Sequence, residues 1–347
     1  MQKPPKLHPG DKIAAISLSW GGPGAFPLRY AAGKKQLEDE FGVQVVETRH
    51  ALREEDWLKR NPQARADDLM EAFADTSIQA VISTIGGDDS IRILPYLDLD
   101  MLRTHPKVFM GYSDTTITHL AFYRAGLVSF YGPAIMSGFA ENGGLHAYLV
   151  EAVRRTLFSA IPPGEIRPNR EGWTVEHLDW GEPANQSRRR TLNPAEGWKF
   201  LQGNGVRRGR LLGGCIEVFD WLRGTPWWPA PEAWQAAILF LETSEDAPPP
   251  VEVERILRVY ASLGILNKLS GLLFGRPGGH VPVERFDEYE QAILQVVREE
   301  EGLDELPVVT RMDFGHTDPM GVLPYGVLAE IDCPTRRFSI LEAGVVE

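Results

Sequence analysis

The feature that most limits how this chain can fold is an alternation through its first 130 residues. Short apolar, β-rich runs at 12–18, 43–47, 79–85 and 108–111 are separated by stretches with helical spacing at 28–40, 64–74 and 91–97. A further helical stretch follows at 114–124. The runs are apolar throughout rather than alternating with polar residues, so both faces of each strand must be covered. Strands of that kind joined by helices form βαβ units around a parallel sheet. Glycines punctuate the run ends, as in Gly21-Gly22-Pro23-Gly24 and Gly86-Gly87. A helix at 145–158 closes this first unit.

Residues 161–205 break the pattern. They are rich in Pro, Gly, Trp and Arg and show little periodicity, as expected of a linker that carries substrate loops. From 206 the alternation resumes, with a helix at 215–222, strands at 236–241, 271–274 and 307–310, and a helix at 284–299. Two final strands at 327–331 and 337–341 flank a turn at Pro334. The chain therefore divides into an α/β domain over 1–160, a linker with loops over 161–205 and a second α/β domain over 206–347. At ~150 residues per domain, 347 residues agree with two. No internal repeat is present.

Charge and composition remove several functions. Lys plus Arg number 36 against 48 Asp plus Glu, a net charge of −12, with no compensating basic stripe. A nucleic acid polymer is not an expected partner. No apolar run approaches the ~18 residues of a membrane span, so no membrane partner is expected either. Lys3 and Lys6 before the apolar run faintly mimic a secretion signal. However, Asp11 and Lys12 abut the run and no small-residue cleavage site follows. The expectation is a first core strand in a cytoplasmic protein. Cys215 and Cys333 cannot make a disulfide framework. No His-x-x-x-His or Cys/His cluster suggests a metal site, and no metal or organic cofactor is expected.

Several segments carry possible chemistry. In Val108-Phe109-Met110-Gly111-Tyr112-Ser113-Asp114-Thr115-Thr116 an apolar strand runs through Gly and Ser into a helix. This is half of a nucleophile elbow, with Thr115 in place of the second glycine. The same residues also suit a simple helix cap by Ser113 or Asp114. Gly86-Gly87 at a strand's carboxyl end permits close backbone approach to a ligand, or merely a tight βα turn. Glu242 ends a buried strand, where an acid can orient a histidine. Glu245 and Asp246, just beyond, are expected to be solvated or capping. His316 lies in a loop bounded by Gly315 and Pro319. Gly213-Gly214-Cys215, with Glu217 nearby, offers a rival thiol nucleophile or a small buried residue lining the cleft. Trp173, Trp180 and Trp198 flank Arg188-Arg189-Arg190, a composition that suits a stacked base beside an anion or an ordinary covered core.

Together these segments resemble the LD-carboxypeptidase family of serine peptidases (peptidase family S66), and within it the microcin C immunity-type branch. The resemblance runs through 85–90 with 94–98, 110–116, Phe130-Tyr131-Gly132-Pro133, and Leu211-Leu212-Gly213-Gly214-Cys215. It continues through Leu241-Glu242-Thr243-Ser244-Glu245, Phe314-Gly315-His316-Thr317 and Leu323-Pro324-Tyr325-Gly326. It implies a flavodoxin-like or class I amidotransferase-like parallel-sheet domain plus a smaller C-terminal α/β domain, usually in a homodimer. It also implies a Ser-Glu-His triad of Ser113, Glu242 and His316, with an oxyanion hole from the N–H groups of Gly87 and Asp114. Gly86, Trp180, Trp198 and Cys215 are the expected substrate contacts. The implied substrate is a peptidyl- or aminoacyl-nucleotide, with a murein tetrapeptide as the alternative. A non-catalytic two-domain ligand binder is the alternative of another class.

Overall fold

A computed structural model describes residues 1–347 and contains two sheets. The first is built from β1 (Lys12–Ile16), β2 (Gln44–Glu47), β3 (Ala80–Ser83), β4 (Val108–Gly111) and β5 (Phe130–Tyr131). All five are parallel, in the order β5-β4-β3-β1-β2. That is the flavodoxin-like order, in which ligands bind outside the carboxyl ends of the strands. β1, β3 and β4 are buried almost throughout, in line with their uninterrupted apolar sequence.

The second sheet is mixed and has eight strands. Its first members in the chain are β6 (Gly164–Ile166), β7 (Lys199–Gln202), β8 (Val206–Cys215), β9 (Ile238–Glu242), β10 (Gly271–Gly275) and β11 (Val308–Met312). β8 to β11 run parallel at its centre. After β11 the chain leaves this sheet. β12 (Leu323–Pro324) crosses back and pairs antiparallel with β5 of the first sheet. β13 (Leu328–Asp332) and β14 (Arg337–Ile340) then return to the second sheet as an antiparallel pair beside β8.

Three of these elements differ from the sequence expectation. The segment 161–205 is more than a linker with loops, because β6 and β7 form the two edges of the second sheet. Both are short and only partly buried, so neither carries the apolar pattern of a central strand. The C-terminal part of the chain also helps build the first sheet, through β12.

The helix Thr116–Ala125 joins the two layers. Eight of its ten residues are buried, and Thr116 Oγ1 accepts the Cys215 N–H at 3.1 Å. One continuous core of 71 buried residues spans both sheets, and a separate cluster of 15 fills the other face of the first sheet. The carboxyl ends of β3 and β4 are thereby held against those of β8 and β9.

Candidate active site

The turn after β4 carries the most strained residue of the site. Ser113 has a φ of 61°, in the left-handed region that side-chain-bearing residues seldom occupy. It opens a single helical turn that leads into Thr116–Ala125. Its N–H donates to Tyr131 Oη at 3.2 Å. Ser113 makes no side-chain cap, so the simple capping alternative is not what the fold uses it for. The Asp114 carboxylate is buried and accepts the backbone N–H groups of Asp89 and Ser90, at 3.2 and 2.9 Å. It thus ties the turn after β3 to the turn after β4. Burial pushes the Asp114 carboxyl up from its ordinary value, against these hydrogen bonds.

That clamp brings Gly86 and Gly87 beside Ser113. A methyl at Gly86 would stand 2.9 Å from Ser113 Cβ and 3.0 Å from its Oγ, so only glycine allows this approach. Gly87 has a φ of 142°, and its N–H donates to no protein acceptor. The N–H of Asp114 lies in the first turn of the helix, where intrahelical acceptors are missing.

The second sheet supplies the acid and the imidazole. Glu242 is the last residue of β9 and is fully buried. Its Oε2 accepts from His316 Nδ1 at 2.7 Å, and its Oε1 accepts from the Tyr131 hydroxyl. One carboxylate therefore links a strand of the first sheet to the loop after β11. The bond to Nδ1 fixes the tautomer and leaves Nε2 as the outer nitrogen. Burial alone would lower the His316 pKa, but Glu242 and then Glu245 hold it well above the ordinary histidine range. The Tyr112 ring packs on the imidazole, with centroids 4.9 Å apart.

Ser113 and His316 open onto one cleft of about 690 Å³, which Gly86, Gly87 and Trp180 also line. Trp180 lies against Phe26 and Trp20, at centroid separations of 5.8 and 6.5 Å. The Arg29 guanidinium sits 4.9 Å from its ring centre. Trp180 is only half-buried, so part of the indole is accessible from the cleft.

Two expected substrate contacts lie elsewhere. Trp198 lines a separate cavity of about 580 Å³, and its Nε1 donates to Asp313 Oδ2 at 2.7 Å. Its proximity in sequence to the Trp- and Arg-rich loops did not carry it into the cleft, because it adjoins the edge strand β7. Cys215 is fully buried and does not line the cleft. Its Sγ donates to Glu217 Oε2 at 3.4 Å. Burial pushes the thiol well up, with Glu242 and Glu217 adding to the effect, which leaves little thiolate for a rival nucleophile. Donor atoms of Cys215, Glu242 and His316 lie within 4.8 Å of one another, a spacing a metal could span. Those of Glu242 and His316 are engaged with each other, and the thiol keeps its proton.

Several cleft residues were not among the expected substrate contacts, although Arg190 belongs to the Arg188-Arg189-Arg190 run. Arg29 is buried and hydrogen-bonds the Met136 carbonyl and Asn142 Oδ1, at 3.0 and 2.7 Å. Arg190 bridges Glu141 and Asp318, with 2.7 Å to the latter. His177 and His280 line the opening. Glu245, expected to be solvated or capping, places Oε2 3.0 Å from His316 Nε2.

The LD-carboxypeptidase N-terminal domain model matches residues 13–132, and the LD-carboxypeptidase C-terminal domain model matches residues 208–331. The chain belongs to the LD-carboxypeptidase family and is a peptidase, which removes the non-catalytic ligand binder as an alternative. It is 28% identical over 97% of its length, and 94% of the relative's, to the microcin C7 self-immunity protein MccF of Escherichia coli. It is 27% identical to a probable murein peptide carboxypeptidase of Bacillus subtilis, over 99% of this chain and 96% of that one. A crystal structure of an MccF-like protein from Streptococcus pneumoniae in complex with AMP superposes with a TM-score of 0.85 at 30% identity. The match covers 95% of this chain and 98% of that one. MccF in complex with aspartyl sulfamoyl adenosine gives 0.80 at 25% identity, with full coverage of both chains. No helix is long and apolar enough to cross a membrane.

Proposed function

We propose that Ser113, Glu242 and His316 form a Ser-Glu-His triad that hydrolyses the amide of peptidyl- or aminoacyl-nucleotides, a detoxifying activity of the microcin C immunity type. The observation that carries the reading is Ser113 held at a φ of 61° on the floor of the cleft that His316 and Trp180 share. A serine hydroxyl is a weak nucleophile unless a base takes its proton during attack. His316 Nε2 is that base and afterwards protonates the leaving nitrogen. Glu242 stabilises the imidazolium formed in between. The N–H groups of Gly87 and Asp114 receive the oxyanion, where preorganised donors act most strongly on developing charge. Gly86 lets the substrate backbone lie close, and Trp180 stacks on the nucleobase. No step calls for a metal or an organic cofactor.

The nucleotide part of this reading draws on Trp180 and on the AMP and aspartyl sulfamoyl adenosine complexes of the structural relatives. The murein tetrapeptide remains the second reading, favoured by the similarity to the B. subtilis relative. A homodimeric, cytoplasmic protein completes the proposal. Incubation with aspartyl sulfamoyl adenosine and, separately, with murein tetrapeptide, followed by mass spectrometry, tests it. Release of sulfamoyl adenosine supports the first reading. Loss of a terminal residue from the tetrapeptide alone supports the second.

A further inference from the structure

The base is held at both ends. Glu242 Oε2 binds Nδ1 of His316 at 2.7 Å, and Glu245 Oε2 binds Nε2 at 3.0 Å. A proton must sit on each nitrogen for both contacts to be favourable, so the resting imidazole is charged. In that state Nε2 cannot accept the Ser113 proton. The two carboxylates are unlike in setting. Glu242 is fully buried and also bound by Tyr131, whereas the Glu245 side chain is 73% exposed and has His316 as its one side-chain partner. Glu245 lies in the loop between β9 and the helix Pro250–Ser262 and lines the cleft. It is free to turn away without disturbing the core.

We propose that Glu245 latches the resting site by holding Nε2 of His316, and that the α-ammonium of an aminoacyl substrate frees the base by taking Glu245 for itself. The proposal rests on the reading of His316 as the base and of an aminoacyl group as the substrate.

A cation favours the exchange. Glu245 is exposed enough to turn to water, but a cation offered beside it offsets the loss of the imidazolium contact. The α-ammonium is borne on the carbon attached to the scissile carbonyl. When Ser113 approaches that carbonyl, this group arrives beside Nε2, where Glu245 already lies. The exchange balances in charge: the ammonium pairs with Glu245, His316 becomes neutral, and its Nε2 proton passes to water.

Other groups near His316 do not offer the same exchange. Tyr112 from the first sheet presents its ring, and Cys215 at the end of β8 keeps its proton. Asp318 is paired with Arg190, and His280 across the opening offers no negative charge. Side-chain contact with His316 holds the Glu245 carboxyl down at about 2, so it is ionised and ready for a new cation throughout the neutral range.

Calorimetry on the inert Ser113→Ala protein in buffers of different ionisation enthalpy tests the exchange. Aspartyl sulfamoyl adenosine should release a fraction of a proton per site, about half at most for a one-unit drop and greatest just below the folded His316 pKa. Its N-acetylated counterpart should release none and bind about tenfold more weakly. Adding Glu245→Gln should abolish the release and bring the two affinities together. Equal proton release by both ligands, or release unaffected by Glu245→Gln, overturns the proposal. The latch itself is read without ligand, by NMR titration of His316. Glu245→Gln should lower its pKa by about one unit, a tenfold change in proton affinity. An unchanged titration overturns the latch. If neither ligand binds, the nucleotide reading and the release half of the proposal both fall, while a shifted titration still upholds the latch.

Discussion

Gly315 lies so close to the Glu242 carboxyl that a methyl on it would stand 2.5 Å from Cδ and from Oε2. Its φ of 91° is also one that L side chains rarely adopt. Both facts explain glycine immediately before His316. Gly315→Ala must push Glu242 off the His316 Nδ1 contact or shift the loop that carries the imidazole. A misplacement of this kind costs about 10²-fold in turnover. Steady-state kinetics should show the loss in kcat, with KM little changed. A variant whose kcat stays within about twofold of wild type would show that the contact does not position the base.

Residues at strand ends were legible in the sequence because the fold makes them so. Ser113, Gly86 and Glu242 each follow an apolar run, and parallel strands deliver their carboxyl ends to one edge. The parallel α/β core was legible from the same apolar runs, while its flavodoxin-like order was implied by the family resemblance. β6, β7 and β12 were not, since short edge strands carry no periodic pattern. Arg29 enters the cleft through long-range packing that a local pattern cannot express, and of the legible run Arg188-Arg189-Arg190 only the fold decides that Arg190 lines the cleft. Glu245 reads as a solvated acid, and only the return of the chain at His316 gives it a partner. Trp198 misleads for the converse reason: loop composition suggests a binding face but does not fix which cavity it meets.

The pH dependence follows from the environment of His316. The sequence alone suggests a limb near the ordinary imidazole value of about 6.5. Burial acts to lower that value, yet Glu242 and Glu245 raise it well above. The base works only when neutral, so kcat/KM should rise with pH through a limb displaced upward from 6.5 and then level off. His316 adds stability that is complete below about pH 6.5 and is lost as pH rises through the folded value. A kcat/KM limb at or below 6.5 would contradict the double carboxylate contact.

Trp180→Ala separates substrate recognition from structure. Loss of one base–aromatic stack costs about 1–3 kcal/mol, or roughly 5- to 150-fold in affinity. KM for an aminoacyl-adenylate analogue should rise by about that factor. Cleavage of a murein tetrapeptide, which has no base to stack, should change little. Trp198→Ala should leave both unaffected, because Trp198 lines the other cavity. An equal loss on both substrates in Trp180→Ala would make that indole a support for Phe26 and Trp20 rather than a base platform.

The central claim is that the strained Ser113 is the nucleophile. Turnover of Ser113→Ala, measured beside Cys215→Ala, tests it most directly. Ser113→Ala should lose at least ~10³-fold with an unchanged unfolding midpoint, and Cys215→Ala should keep a near wild-type rate. A Ser113→Ala protein that keeps its rate while Cys215→Ala loses it would rule out Ser113 as the nucleophile and assign the chemistry to the buried thiol.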